Sequence, residues 1–196
     1  MADVDIGDAP RIALMDGRGF RVHDHSTDPD ATTGYASGGF ARGYKLHAMA
    51  KENGRFTSIR VMPMNVSEKR VARELIDENR SVGLLLADQG YESGPLYDYA
   101  RQRGVILMTP LSKNAGGGHR RQSQGRMLAK RLWDYGGETL YRRRDAIERF
   151  FGQLSAFGGG LAPLPAWVRR LERVQRWITA KVIIYHARLL VRENAA

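Results

Sequence analysis

Val82-Gly-Leu-Leu-Leu-Ala-Asp88 is a short apolar run without polar alternation, closed by a carboxylate. Its length suits a strand, and its unbroken apolar character suits one buried on both faces, as central strands are when helices cover a sheet from two sides. The flanks agree. Asn65-Val-Ser-Glu68 opens a helical pattern to about Asn79, with Ser67 or Asn65 as N-cap and Val71, Leu75 and Ile76 facing inward. A second helix is expected from about Gly94 to Arg103, and Val105-Ile-Leu-Met108 reads as another buried strand. Upstream, Tyr44–Ala50 and Phe56–Met62 are strand-like runs joined by a segment containing Asn53-Gly54, a strong hairpin signal. Arg11-Ile-Ala-Leu-Met-Asp16 is a further short strand ending in a carboxylate, and residues 17–40, polar and rich in Gly, Asp, Thr and His, read as a loop. The order predicts a mixed α/β layer architecture.

Residues 1–10 read as a disordered lead-in and 11–160 as the main domain. Within it, residues 110–125 read as a mobile basic loop and about 127–135 as a helix. Tyr141-Arg-Arg-Arg-Asp-Ala-Ile-Glu-Arg-Phe-Phe-Gly-Gln-Leu154 reads as one helix, with Ile147, Phe150, Phe151 and Leu154 forming its apolar stripe. On a continuous helix Tyr141, Arg144 and Glu148 fall within about 60° of one another. The segment 161–196 is expected to pack on the domain as a long helix from Ala166 to about Arg192, with Trp167, Leu171, Val174, Ile178, Val182, Tyr185 and Leu189 as its core stripe.

The formal charge of +10 is unevenly spread: −3 over residues 1–100, +8 over 101–150 and +5 over 151–196. A mixed surface balances its signs, so the second half points to a polyanion, with nucleic acid as the expected partner. The absence of cysteine excludes disulfides and Cys-based zinc sites. No apolar run reaches the roughly 18 residues of a membrane span, and a soluble, intracellular protein is expected.

Asp16 and Asp88 each follow a strand-like run. If the two strands are neighbours, both carboxylates reach one sheet edge, where sites of open sheets gather, and the helix bearing Glu148 can close over it. Three converging carboxylates suit hard divalent cations, and a pair of ions can serve both the attacking and the leaving oxygen of a phosphoryl transfer. Simpler readings stand beside this one. Glu148 can pair with Arg144 four residues earlier on a plain surface helix, and Asp88 can be a turn or capping residue. His47 reads as a satisfied core or hairpin group, His119 as a loop histidine, and Trp133, Trp167 and Trp177 as packing residues.

The chain also resembles the DDE transposases of bacterial insertion sequences. Ala87-Asp88-Gln-Gly90-Tyr91-Glu-Ser93 is similar to the segment around the family's second catalytic aspartate, and Tyr141, Arg144 and Glu148 match its Tyr-x-x-Arg-x-x-x-Glu signature. Gly43-Tyr-Lys-Leu-His47, Pro63-Met-Asn65, Ile147–Gly152 and Gly158–Arg169 also resemble this group. The resemblance spans about residues 11–190. It implies an RNase H-like mixed sheet flanked by helices, and metal-dependent cleavage and joining of DNA ends. Asp16, Asp88 and Glu148 would be the catalytic ligands of two Mg²⁺ or Mn²⁺ ions. Tyr141, Arg142, Arg143, Arg144, Lys113, Arg120 and Arg121 would contact double-stranded DNA. A homodimer on DNA, a bacterial cytoplasmic setting and no membrane association follow from the same resemblance. Asp24, Asp28 and Asp30 compete with Asp16 for the first position. Ser155 stands where the family places Lys or Arg, which removes an expected phosphate contact. Only about ten residues precede the first strand, so no N-terminal recognition region is expected; a non-catalytic DNA-binding remnant is the alternative function, and an RNase H-like nuclease acting on structured or hybrid nucleic acid a third.

Overall fold

The computed structural model describes residues 11–36, 39–112, 123–156, 161 and 164–195. The disordered lead-in expected for 1–10, most of the basic loop, and with it Lys113, His119, Arg120 and Arg121, lie outside the described residues.

Strands β1 (Ile12–Arg21), β2 (Thr32–Ala36), β3 (Gly39–Lys51) and β4 (Phe56–Pro63) are followed by α1 (Glu68–Glu78), β5 (Leu84–Ala87), α2 (Gly94–Gln102) and β6 (Ile106–Met108). Helices α3 (Gln124–Asp134), α4 (Gly137–Tyr141), α5 (Asp145–Ala156) and α6 (Leu171–Asn194) complete the chain. All six strands form one sheet in the order β2-β3-β1-β5-β6, with β4 on β3 as well. β1 runs antiparallel to β3 and parallel to β5, and β5 runs parallel to β6. This mixed sheet with helices on both faces and a long C-terminal helix is the RNase H-like arrangement.

The Val82–Asp88 run occupies the place its composition demands. β5 lies between β1 and β6, and all four of its residues are buried. Leu84 and Leu86 enter a core with Leu14 of β1 and with Ile147, Phe151, Ile178 and Tyr185 from α5 and α6. Leu85 and Ala87 enter another with Val71, Leu75, Leu96 and Ala129 from α1, α2 and α3. One strand with a period of two therefore nails two helical layers to the sheet.

Four expectations need correction. Residues 17–40 are not a loop: β1 continues to Arg21, β2 is a strand, and β3 begins at Gly39. Asp16 thus lies inside β1 rather than at its end. Glycine here signals close packing instead of turning. An added Cβ on Gly19 would lie 2.9 Å from that of Ala36, and one on Gly34 would lie 2.5 Å from the Met64 carbonyl oxygen. The 141–154 segment is not a single helix, since Arg142–Arg144 forms a 3₁₀ turn between α4 and α5. Third, Trp167 precedes α6 and is 66% exposed, so it is not part of that helix's core stripe; its ring meets Trp177 edge-on at 5.3 Å. Finally, His47 is buried, but neither ring nitrogen has a partner.

The competing aspartates have structural work. Tyr44 Oη donates to Asp28 Oδ2 at 2.7 Å, and the amides of Arg170 and Leu171 donate to Asp28 Oδ2 and Asp30 Oδ2 at 3.0 and 2.9 Å. Asp28 and Asp30 thereby satisfy the open N–H groups where α6 begins.

Candidate active site

The parallel ladder of β1 on β5 ends at Met15 opposite Ala87, so Asp16 and Asp88 are the next residues along neighbouring strands. Leu14 and Leu86 face the α5 side, and the alternation of a strand turns Asp16 and Asp88 to that side too. Asp16 Oδ1 accepts from the Gly17 amide at 2.7 Å, and Asp88 Oδ1 from the Gly90 amide at 2.8 Å. Asp88 therefore caps the short 3₁₀ turn Gln89–Tyr91, the turn role open to it from sequence, while remaining beside Asp16.

Glu148 arrives from the first turn of α5, whose buried Ile147, Phe150, Phe151 and Leu154 fix the helix on the sheet. Arg144 ties the parts together. Its guanidinium meets Asp16 Oδ2 at 3.2 Å and Glu148 Oε1 at 3.1 Å. The pairing with Glu148 is the i,i+4 contact foreseen for a surface helix, but Asp16 is 128 residues away in sequence. Arg144 and Asp16 keep only 13% and 14% of their side-chain surface, whereas Glu148 keeps 62%. The site is a pair of half-sunken aspartates with a carboxylate at its open mouth.

Burial pushes the Asp16 carboxyl up to about 6. The Arg144 cation and the Gly17 amide oppose that rise, while the charges of Asp88 and Glu148 add to it. Asp88 is also raised, first by burial and then by the charge of Glu68. Negative charge is thus concentrated around Arg144, whose cation lowers both aspartates. Among the described residues, no three His, Cys, Asp or Glu side chains stand close enough to hold an ion as they are. The Arg144 guanidinium lies between Asp16 and Glu148.

Tyr141 stands beside the same cluster, close enough to Arg144, Asp88 and Asp16 to feel their charges. Its hydroxyl donates to the Ala87 carbonyl at 3.1 Å and its ring packs on Trp133 at 5.1 Å. Burial pushes that phenol up to about 12. Arg142 pairs with Glu138 at 2.9 Å and Arg143 with Glu52 at 2.7 Å, both at the surface. Ser155 Oγ is buried without a partner. Trp133 donates its indole N–H to the Thr109 carbonyl at 2.9 Å, a packing role as expected.

Two charged residues that the sequence reading did not single out stand nearby. Lys45 on β3 meets Glu68, the first residue of α1, with Nζ 2.6 Å from Oε1. Lys45 belongs to the Gly43–His47 stretch quoted above, which was its only sequence signal; Glu68 looked like an ordinary first-turn acid.

The family model described as "Transposase DDE domain" matches residues 7–186. The chain belongs to this transposase family. No curated protein matches it. A solved structure, the catalytic core domain of BIV integrase, is similar at 15% identity with a TM-score of 0.36, over 88% of this chain and 99% of that one. Among the described residues no helix is long and apolar enough to cross a membrane.

Proposed function

We propose that this transposase domain carries out divalent-metal-dependent DNA strand cleavage and transfer, with Asp16, Asp88 and Glu148 as its catalytic carboxylates. The observation that supports this most is the convergence of Asp16 and Asp88 at the end of a parallel ladder, with Glu148 joined to Asp16 through Arg144. The donor set fits Mg²⁺ or Mn²⁺: all three are hard oxygen ligands, and Asp16 and Asp88 are crowded and partly desolvated, so a cation there relieves repulsion. When bound, two such ions supply an activated attacking oxygen and a stabilised leaving oxygen.

The chain's own residues do the remaining work. Glu148, exposed at the mouth, would hold an ion where substrate can reach it. Arg144, whose planar fork suits a phosphate, would contact DNA when a cation takes its place between the carboxylates. Arg142 and Arg143 exchange their surface partners for the phosphate backbone, Lys113, Arg120 and Arg121 add further backbone contacts, and counterion release makes binding salt-dependent. Tyr141 holds the end of β5 through its hydrogen bond to the Ala87 carbonyl. A homodimer would present two such sites to the two ends of one DNA segment.

One observation favours a second reading, a non-catalytic DNA-binding remnant: Arg144 already pairs with two of the three carboxylates. Nicking of supercoiled plasmid in Mg²⁺ or Mn²⁺ separates the two. The catalytic reading expects nicking by wild type and none by Glu148→Gln, with DNA binding retained. A pure protein that binds DNA and cuts with neither metal refutes it.

A further inference from the structure

We propose that Glu68 is a fourth carboxylate of this site, held in place by Lys45, and that Glu68 and Asp88 together take a divalent cation distinct from the one between Asp16 and Glu148. The inference rests on the metal-dependent reading above.

Three observations carry it. The first is the space at Gly90. A Cβ built there would lie 2.6 Å from Glu68 Oε2 and 3.0 Å from Asp88 Oδ1. The two carboxylate oxygens therefore face one small volume, which glycine leaves open. The second is the division of labour in Glu68. Oε1 is engaged by Lys45 Nζ at 2.6 Å, and the other oxygen, Oε2, is the one that shares the Gly90 space with Asp88. Lys45 is itself buried and Glu68 keeps 26% of its side-chain surface, which fixes the carboxylate without sealing it.

The third is an unmet hydroxyl. Tyr91, one residue beyond Gly90, is 1% exposed, and its Oη has no hydrogen-bond partner. It feels the charges of Glu68, Asp16 and Asp88, which together with burial hold its proton on. It also lies 3.5 Å from the position of a Cβ on Gly17, the residue next to Asp16. A buried hydroxyl left unpaired costs about 1–3 kcal/mol. A small cation bound through two carboxylates keeps several waters, and such a water would give Tyr91 the partner it lacks. Asp88 would then stand between two ions, one on the Glu148 side of the sheet and one on the α1 side. This gives the Gly43-Tyr-Lys-Leu-His47 stretch a function: its lysine orients the fourth ligand.

The test counts ions. Mn²⁺ binding to the full chain is measured by electron paramagnetic resonance and titration calorimetry, for wild type, Glu68→Gln, Gly90→Ala, Glu148→Gln and the surface control Glu74→Gln. Wild type and the control are expected to bind two ions. Glu68→Gln is expected to retain one. Gly90→Ala fills the shared space and pushes the Glu68 carboxylate aside while retaining both Lys45 and Glu68, and it sits on an exposed turn, so it remains informative even where Glu68→Gln fails to fold. Its second ion should weaken by roughly tenfold or more, the scale of lost metal-site support. Two ions of unchanged affinity in folded Glu68→Gln, or in Gly90→Ala, overturn the proposal. If Glu148→Gln abolishes nicking while those variants bind like wild type, only this inference fails. Wild type that binds no Mn²⁺ and cuts no DNA defeats the underlying reading as well.

Discussion

Replacing Asp16 by Asn should make the metal-free protein more stable at neutral pH while removing any activity. Asp16 has an ordinary carboxyl value of 3.8 that the fold raises to about 6. Its raised value means that the folded chain holds the proton more tightly than the unfolded chain does. Stability contributed by this group is therefore complete below about 3.8, falls as pH rises through the interval, and is gone above about 6. The interval corresponds to about 3 kcal/mol, and with only 14% of the side chain exposed little of that is lost to solvent screening. Asn mimics the protonated form, so Asp16→Asn should exceed wild type by up to about 3 kcal/mol at pH 7.5, with the gap closing towards pH 4. Urea unfolding in chelator across pH 4–8 measures it. His47, lowered to about 4 chiefly by burial, loses stability in the opposite direction on acidification, but it is common to both proteins and cancels in the difference. Equal or lower stability of Asp16→Asn at pH 7.5, or a gap that does not shrink on acidification, would refute the reasoning.

Arg144→Gln removes the cation that competes with a metal at Asp16 and Glu148, and Mn²⁺ should then bind more tightly by roughly tenfold, the equivalent of about 1.4 kcal/mol, read by calorimetry at fixed pH. The same variant should bind DNA less well, with a shallower salt dependence of affinity. Asp28→Ala takes away the acceptor of the Tyr44 hydroxyl and of the Arg170 amide, and should destabilise the chain by about 2–4 kcal/mol in urea unfolding, without altering Mn²⁺ binding.

Much of this architecture is legible in the chain because its signals are local. The Val82–Asp88 run declares a two-sided strand by composition, and Asn53-Gly54 declares the β3–β4 hairpin. Val71, Leu75 and Ile76 declare the buried side of α1. What escaped depends on partners distant in sequence. Gly17, Gly19 and Gly34 look like loop residues until β3 and Met64 are laid against them, since the small size they contribute is visible only across the sheet. The 3₁₀ turn at Arg142–Arg144 has the same helix-forming composition as its flanks. Across it Tyr141 bonds to the end of β5, while Arg144 and Glu148 stay paired. Asp16 and Asp88 were recognisable as strand-associated acids, but their adjacency came from a register, Met15 opposite Ala87, that no local pattern encodes. Glu68 was the hardest to find, for its position beside Asp88 passes through Lys45 on a third element.

The charge arrangement explains why one residue can tie folding to chemistry. Without a metal, Asp16, Asp88 and Glu148 crowd together, and two of them are pushed towards protonation. Arg144 reduces that repulsion from a position four residues before Glu148, on the 3₁₀ turn that precedes α5. Under the proposed function, a divalent ion held by these carboxylates would offer more charge in less volume and would release the guanidinium as a donor. Phosphate would then be its natural acceptor. Cation binding and DNA binding would reinforce each other through Arg144. The coupling has a definite sign: Mn²⁺ should raise the affinity of wild type for duplex DNA and should do so less in Arg144→Gln, because the residue that converts one event into the other has been removed. An equal increase in both proteins, measured by fluorescence anisotropy at constant ionic strength, would show that Arg144 does not carry the coupling.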